Sequence, residues 1–491
     1  MQQTITIFIM VSAAVLAALA ASVGMAAAMQ LTSRRAHGFI HLIFYAILIS
    51  VALGSLLPGR DLTSTLNLTT ETLADAPRPQ ALVWLQPMIS LLILTVTGER
   101  IITYLITSQR KTKASGLLIA AFIFYWVATI ASPALFGAHP YISHDYVYPL
   151  VIGIAVLLAS DIERDLTFRA ARDALFVFLM VGLLIIPFSP GLVWDIAYNQ
   201  GLLPGLPRLA GLAAHPVLLG ILAQLALFCL VVSPYKRRWL NRLAWGVGLL
   251  SLFLAQSKTA WISFVLCAAC IVIVRGGPDF MRRAGDPVRR QFGIVATFCF
   301  MMAVLGIAAL AMFGGLSVRL GNFFDSAEGA QLVSLTGRDL IWSIAESEWL
   351  RSPVFGYGPT IWDADFRAAI GMSNATSGHN QFMDTLSRSG AVGATALVLY
   401  SLVLLVMSVR YTRASGGMTL ALFMALAIRS VSEVPLMLFG YGPELLTHLL
   451  LLMTLTAARA SAQLNPRKSN QTQLWARPAS TARFGSARIS S

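Results

Sequence analysis

The sequence predicts an all-α, polytopic membrane protein with about 12 to 13 transmembrane helices and one large loop outside the membrane. Hydrophobic residues make up 57% of the 491 residues and charged residues only 12%, whereas an average soluble domain is about 25% charged. Apolar runs long enough to cross a hydrocarbon core of about 30 Å recur along the whole chain. Because lipid offers backbone groups no hydrogen-bond partner, such runs are expected to be helices.

Thirteen apolar runs are candidate spans. The first is preceded by no basic region and followed by no obvious cleavage site, so we interpret it as a helix and not as a removed signal peptide. Several runs are short, which is why the predicted number is a range. In chain order the runs cover 5–30, 38–57, 81–97, 116–136, 146–160, 174–188, 212–232, 244–257, 259–274, 292–316, 390–409, 418–434 and 443–458.

The connecting loops alternate in positive charge. One set of loops, with the C-terminal tail, holds 26 of the 36 Lys and Arg residues, and the positive-inside bias predicts that this set is cytoplasmic. The net charge of +14 is mostly this bias, so nucleic acid is not expected as a partner. Four regions follow: helices 1–10 over 1–316, a large loop on the outer side over 317–389, helices 11–13 over 390–458, and a basic, disordered cytoplasmic tail over 459–491.

The cysteine pattern predicts neither a disulfide framework nor a metal site. All four cysteines lie inside apolar runs, where they are expected to be small buried side chains. Cys267 and Cys270 form a C-x-x-C pair, but a zinc site would need a second pair of ligands nearby. The four are Cys229, Cys267, Cys270 and Cys299.

Ten cations lie on the predicted outer side, against the orientation bias. An ionisable group at or in a span is costly and usually functional, so each invites a reason. Arg429 and Glu433 have the i, i+4 spacing of an ion pair on a helix. Lys258 and Arg208 have no carboxylate close in sequence and are better candidates for binding an anion from outside. The ten are Arg60, Arg78, Arg208, Lys258, Arg319, Arg338, Arg351, Arg367, Arg388 and Arg429.

Within the large loop, "LTGRDLIWSIAESEWLRSP" predicts an amphipathic helix. Thr336 and the acidic residue three positions later approximate a capping box, and Pro353 ends the helix. Its tryptophans suit the membrane–water interface. Arg338 projects from their side, where its paired donors and permanent charge could meet a lipid diphosphate. The alternative is an arginine that snorkels along an interfacial helix.

Two further features of the loop stand out. In "SPVFGYGPT", Gly356 and Gly358 permit a tight turn or a close backbone approach to a ligand around Tyr357. In "GHNQFMDTLSRSGAVG", Ser377 can cap a helix that begins at Gly378. The predicted face toward packed protein or membrane comprises His379, Phe382, Met383 and Leu386, and the opposite face comprises Asp384 and Arg388, a second i, i+4 pair. Such a histidine is either a satisfied core residue or a base that titrates near neutral pH.

The pattern His379-Asn380, nine residues, then Gly390-x-x-Gly393 resembles that of the O-antigen ligase and polymerase superfamily. The segments "RLAGLAAHP", "AQSKTAW", "GRDLIW" and "SPVFGYGP" are similar to further segments of that superfamily, in the same order, so that the resemblance covers about residues 200–440. The resemblance implies a metal- and cofactor-independent, inverting glycosyltransferase of a bacterial inner membrane. Its donor would be an undecaprenyl-diphosphate-linked oligosaccharide, used on the periplasmic side. The resemblance thus implies that the loop over 317–389 is a large periplasmic catalytic loop.

The resemblance also implies roles for individual residues. His379 would be the base on the acceptor hydroxyl, and Arg338, Lys258 and Arg208 would hold the diphosphate. Asn380 and Tyr357 are predicted to bind substrate. The partners implied are the lipid-linked donor, a glycan acceptor, membrane lipid, and a chain-length regulator or flippase protein.

Three alternatives remain open at the level of sequence. Ligases of the superfamily usually have Arg where this chain has Lys258, and "SKTAW" looks more like the exopolysaccharide polymerase branch, which favours a polymerase over a ligase. In a transporter of lipid-linked sugar, charged residues within the membrane, such as Arg429 and Glu433, would be the functional residues. Pro-rich or coiled-coil interaction segments would favour the third alternative, a non-catalytic scaffold of an assembly complex. Apart from the short tail, we find none in the sequence.

Overall fold

A computed structural model describes residues 19–32, 37–58, 60–62, 80–106, 115–196, 206–284, 301–302, 338–372 and 375–464. The described residues are almost entirely helical, and five of their helices are long and apolar enough to cross a membrane. The predicted all-α polytopic membrane fold is therefore confirmed. Most of the run 292–316, residues 317–337 of the loop and residues 465–491 of the tail lie outside the described residues.

The helices are named in chain order, and each predicted run overlaps helical residues wherever the structure describes it. They are α1 Leu19–Thr32, α2 Leu42–Leu56, α3 Gln80–Ile106, α4 Gly116–Phe136, α5 Val147–Leu157, α6 Asp161–Leu184, α7 Pro216–Val232, α8 Arg238–Leu254, α9 Lys258–Ala284, α10 Arg338–Arg351, α11 Ala364–Ala369, α12 Gln381–Arg410, α13 Met418–Ser430 and α14 Leu445–Leu464. A short antiparallel ribbon pairs β1 Trp194–Asp195 with β2 Arg208–Leu209.

One apolar core joins the membrane helices. Helix α7 is buried on nearly all sides, and α14 is 72% buried over its most apolar stretch, whereas α9 is only 22% buried over its own. A helix that is apolar all round must lie inside the bundle, and one with an exposed apolar face must meet lipid. Helices α7 and α14 are therefore central, and α9 is peripheral.

The large loop has a small core of its own, built around α10. The predicted amphipathic helix is present and ends at Arg351, two residues before Pro353. Ile341 and Ala345 on its buried face pack against Trp362 and Phe366. The loop is therefore an ordered layer where the structure describes it.

Helix α12 is interrupted at Gly390, whose backbone is left-handed with φ 62° and ψ −159°. A break in a helix frees backbone carbonyls that must find other partners. The carbonyl of Ser387 accepts a hydrogen bond from the backbone N–H of Tyr357 at 2.8 Å, and that of Arg388 accepts one from Gly358 at 3.0 Å. The loop backbone thus replaces the missing turn of the helix.

The amide side of the same break is also satisfied by the loop. The N–H groups of Ala391 and Val392 donate to the carbonyls of Pro353 at 2.8 Å and Val354 at 3.2 Å. The approach is so close that a Cβ at Gly356 would lie 2.6 Å from the carbonyl carbon of Arg388. The glycines around Tyr357 therefore permit close approach of protein backbone, and not, as one alternative had it, of a ligand.

The predicted start of α12 is wrong. The helix begins at Gln381, and its cap is Asn380, whose side-chain oxygen accepts the N–H groups of Phe382 at 2.9 Å and Met383 at 3.1 Å. Ser377 is not the cap. Asn is as good a helix cap as Ser, so the presence of Ser377 earlier in the sequence was not sufficient to place the start of the helix.

The later start changes which side chains are buried. His379 precedes the helix in a left-handed conformation with φ 44°. Phe382 is 47% exposed, while Asp384 and Arg388 are 2% and 6% exposed. The predicted division of faces is therefore wrong: the charged pair is buried and the phenylalanine is exposed.

We expect Gly390→Ala to lower the thermal unfolding midpoint in detergent more than Gly371→Ala does. Both glycines have positive φ, at 62° and 67°, which costs another residue about 1–2 kcal/mol. Only at Gly390 would the new Cβ clash, 2.4 Å from the carbonyl oxygen of Val354; at Gly371 no described atom lies within 4 Å. Equal midpoints for the two variants would contradict the close packing at the break.

Candidate functional site

Two of the predicted binding segments are held together by hydrogen bonds. The side-chain amide of Gln256 donates to the carbonyls of Leu206 at 2.9 Å and Pro207 at 3.1 Å. Arg208 in turn donates from Nε to the carbonyl of Ala255 at 3.3 Å. The ribbon that carries Arg208 is therefore fixed against the turn that leads into α9, where Lys258 is the first residue.

The segment after α13 joins α9 to the turn before α12. The hydroxyls of Thr259 and Ser432 lie 3.3 Å apart. The side-chain amide of Asn380 donates to the carbonyl of Val431 at 3.3 Å. Three stretches that are far apart in sequence thus meet at one end of the helices.

The turn that carries His379 is fixed from several sides. The indole N–H of Trp342 donates to the carbonyl of Gly378 at 2.9 Å, and a carboxylate oxygen of Asp384 accepts the N–H of Gly378 at 2.9 Å. The N–H of His379 donates to the hydroxyl of Ser377 at 3.3 Å. Trp342 therefore links α10 to this turn, a role that its predicted place at a membrane interface did not indicate.

Asp384 is itself held by Arg388, and this local ion pair agrees with the spacing of the two residues. The guanidinium contacts both carboxylate oxygens at 3.2 and 3.3 Å. It also donates to the carbonyls of Pro359 at 2.5 Å and Ile361 at 3.3 Å. Its charge lies over the ring of Phe439, 4.9 Å from the centroid. Arg388 is thus a structural clamp between α12 and the loop.

The imidazole of His379 lies between positive and negative groups, with 26% of its side chain exposed. Desolvation by burial lowers its pKa below 6.5; the charge of Arg338 lowers it further, and that of Asp384 opposes both. Its Nδ1 lies 3.9 Å from a carboxylate oxygen of Glu433 and has no hydrogen-bond partner among the described residues. The ring is therefore neutral at neutral pH and able to accept a proton.

The predicted ion pair between Arg429 and Glu433 is not formed. Helix α13 ends at Ser430, so Glu433 lies beyond it and does not share its face. The guanidinium of Arg429 is 2% exposed, and its Nε and Nη1 have no hydrogen-bond partner in the described part of the chain. It lines a cavity of about 40 Å³ together with His215, Glu433 and Glu444.

His215 is a second imidazole at this site and was missed from the sequence. It caps α7, where its Nδ1 accepts the N–H of Leu218 at 3.3 Å. His215 has surface exposed to the cavity that it lines with Arg429, although protein atoms surround it. Desolvation therefore lowers its pKa to about 4, and the charges of Arg208 and Arg429 lower it further. "AAHP" in the sequence contained it, but nothing there indicated that cations would surround it.

Of the ten cations on the predicted outer side, eight are described, and they fall into two overlapping groups. Some bind protein groups: Arg60 donates to the carbonyls of Leu192 at 2.9 Å and Ala213 at 2.6 Å. Those bound in this way are Arg60, Arg351, Arg367 and Arg388. Those near the imidazoles or on the segments that meet there are Arg208, Lys258, Arg338 and Arg429, whereas Arg78 and Arg319 lie outside the described residues. Neither Arg338 nor Lys258 makes a hydrogen bond or ion pair to the described residues.

An apolar groove of about 460 Å³ opens between α12 and α13 beside this site. Asn380 and Val431 lie at one end of its lining, and Leu402 and Phe423 lie farther along it. Asn380, predicted to bind substrate, is thus a helix cap that also lines the groove. Tyr357, also predicted to bind substrate, stacks on His139 with ring centroids 4.1 Å apart. It makes no ring contact or hydrogen bond with His379 or His215 among the described residues.

We expect Arg388→Met to destabilise the protein by about 3–5 kcal/mol, because it leaves the buried carboxylate of Asp384 without its partner. Arg351→Met removes a cation whose side chain is 72% exposed in its pair with Glu348, and should cost no more than about 1 kcal/mol. Unfolding midpoints in detergent measure both changes. Similar midpoints for the two variants would contradict the role of Arg388 as a clamp.

Comparison with known families identifies the part of the chain that holds most of these residues. Residues 243–398 match the family model described as O-antigen ligase. This range contains Lys258, Arg338 and His379, while Arg429 and Glu433 lie beyond it. A comparison with curated proteins gives no match. The match supports the resemblance of this region, about a third of the chain, to the O-antigen ligase and polymerase superfamily.

Proposed function

We propose that this protein is a polysaccharide polymerase of a bacterial inner membrane. It joins oligosaccharide repeats carried on undecaprenyl diphosphate, by inverting, metal-independent glycosyl transfer on the periplasmic side. The coarser statement, an enzyme-like membrane protein of the ligase and polymerase superfamily, rests on the family match. The substrates, the reaction and the sidedness are our proposal.

The observation that carries the proposal is the meeting of one neutral imidazole with several cations, of which Arg338 and Lys258 make no hydrogen bond or ion pair to the described residues. Arg338 acts on His379 through its charge, and the segments that carry Lys258 and Arg208 are tied to the same place by hydrogen bonds. A diphosphate is recognised by such an arrangement, because Arg offers two parallel donors and Lys a point charge. An imidazole beside it can accept the proton of a hydroxyl.

The apolar groove supports a lipid-linked donor in place of a soluble sugar nucleotide. Its lining begins at Asn380, next to His379, and continues along α12 as far as Leu405. A prenyl chain in the groove would place its diphosphate at the cationic end. Burial of the chain would then contribute binding free energy through the hydrophobic effect.

The reaction follows from these groups. Nε2 of His379 accepts the proton of the acceptor hydroxyl as its oxygen attacks the anomeric carbon. The bond from that carbon to the diphosphate oxygen breaks on the opposite side, so the configuration inverts. Arg338 and Lys258 stabilise the charge that develops on the departing diphosphate. The leaving group needs no proton of its own, because it is already stable as an anion.

A ligase is the second candidate, and the description of the matching family favours it. Lys258 favours the polymerase, because it stands where the ligases of the resembling superfamily usually have Arg. The two differ in the acceptor: a second lipid-linked repeat for a polymerase, lipid A-core for a ligase. Supplying each acceptor separately to the purified protein distinguishes them.

We expect His379→Ala to reduce formation of glycosidic bonds by about 10²–10⁴-fold, the usual contribution of a general base. The assay uses purified protein in detergent with polyprenyl-diphosphate-linked repeats, where there are no compartments and transport alone gives no product. His139→Ala, which removes a histidine that stacks on Tyr357 away from the pocket, is the control and should retain activity. Wild-type product formation by His379→Ala would refute the proposed base, and no product from the wild type with either acceptor would favour a transporter.

We expect Arg338→Ala to raise the pKa of His379, because it removes a positive charge that lowers it. The deprotonated ring reacts with diethyl pyrocarbonate, so the pH at which the His379 peptide becomes modified should move upward. Arg351→Ala, at the other end of α10, should leave that pH unchanged. An unchanged titration in Arg338→Ala would show that the two residues do not interact.

A further inference from the structure

Glu433 occupies a position that the proposed reaction does not yet use. Its carboxylate lies between the imidazole of His379, 3.9 Å from Nδ1, and the cavity lined by Arg429, His215 and Glu444. The side chain is only 25% exposed. A partly buried carboxylate beside an imidazole needs a reason, because desolvation disfavours its charge.

The backbone around Glu433 is fixed by the same contacts that assemble the site. Val431 accepts a hydrogen bond from Asn380 at 3.3 Å, and Ser432 lies 3.3 Å from the hydroxyl of Thr259. The N–H of Glu433 donates to the carbonyl of Arg429 at 2.7 Å. The carboxylate is therefore presented to the imidazole by a rigid turn.

Nearby positive charges oppose the protonation of the carboxylate that burial favours. Burial raises the pKa of Glu433 above 4.5, and the positive charges of Arg429 and Arg338 oppose that rise. Arg429 makes no ion pair with Glu433, so its positive charge stabilises the carboxylate without occupying the carboxylate oxygens. One of those oxygens lies 3.9 Å from Nδ1 of His379.

We propose that Glu433 is the positioning residue of His379. Across the 3.9 Å gap, its negative charge favours the tautomer with the proton on Nδ1, which leaves the lone pair on Nε2 for the acceptor hydroxyl. When the acceptor O–H bond breaks and the Nε2–H bond forms, the carboxylate stabilises the resulting imidazolium. The proton then passes from Nε2 to solvent as product leaves. This inference rests on the proposed function, in which His379 is the base.

The alternative geometry, a plain Arg429–Glu433 ion pair, is not formed in the structure. A second carboxylate, Glu444, lines the same cavity but does not contribute to the electrostatic environment of His379. It therefore offers a matched control of the same chemical type. The charged and titratable groups that face His379 are Arg338 on α10, Asp384 on α12, His215 before α7 and Glu433 after α13.

The test compares Glu433→Gln, Glu444→Gln and the wild type in the detergent assay. We expect Glu433→Gln to lower kcat by about tenfold or more with little change in KM, by analogy with other base-orienting carboxylates. It should also lower the pKa of His379, because the imidazolium loses a neighbouring anion. Modification of the His379 peptide by diethyl pyrocarbonate would then begin at lower pH. Glu444→Gln should keep kcat within about twofold and leave that titration unchanged.

The outcomes separate this inference from the proposed function. Wild-type kcat in Glu433→Gln, an unshifted His379 titration, or an equal loss in Glu444→Gln would each overturn the role of Glu433 while leaving the base in place. Activity in His379→Ala would instead overturn the proposed function. The titration is read on the protein itself, so it remains decisive even where activity is too low to measure. The unfolding midpoint of each variant verifies that the protein is folded.

Discussion

The hydrogen bonds between the broken helix α12 and the loop backbone at 353–358 are the constraint on which the site depends. At Gly390 the helix loses its own partners, and the loop supplies two donors and two acceptors in their place. In a hydrocarbon environment unpaired backbone groups cost several kcal/mol, so neither element is stable there without the other. Asp384 and Arg388 lie on the short stretch of α12 before the break. Asp384 accepts a hydrogen bond from Gly378 and Arg388 donates one to Pro359, so the two residues fix the turn at His379 to the loop.

The positive charges on the predicted outer side differ in whether the protein itself supplies their hydrogen-bond partners. Arg60 and Arg388 each donate to several backbone carbonyls and are components of the fold. Arg338 and Lys258 have no such partner among the described residues, and Arg429 is buried with two unengaged nitrogens. A cation that the protein itself does not neutralise is available to an anionic ligand. Near the membrane, a lipid diphosphate fits that description.

Sequence predicted the features that local pattern controls. The apolar runs, the helix at Arg338–Arg351 and the ion pair Asp384–Arg388 follow from hydropathy, capping and spacing, whereas the burial of that pair was not predicted. The start of α12 was misplaced because two residues three positions apart, Ser377 and Asn380, are equally good caps. The contacts around Glu433 could not be predicted, because they depend on where α13 ends and on how segments more than fifty residues apart meet.

The most direct measurement is a structure of the full chain with a short polyprenyl diphosphate bound in lipid nanodiscs. The diphosphate is expected within hydrogen-bonding distance of Arg338 and Lys258, and the prenyl chain in the groove between α12 and α13. Nε2 of His379 should face the phosphate farther from the prenyl chain, which carries the sugar in the donor. A diphosphate bound elsewhere, or one held at this place with His379 turned away behind α12, would contradict a pocket built for glycosyl transfer.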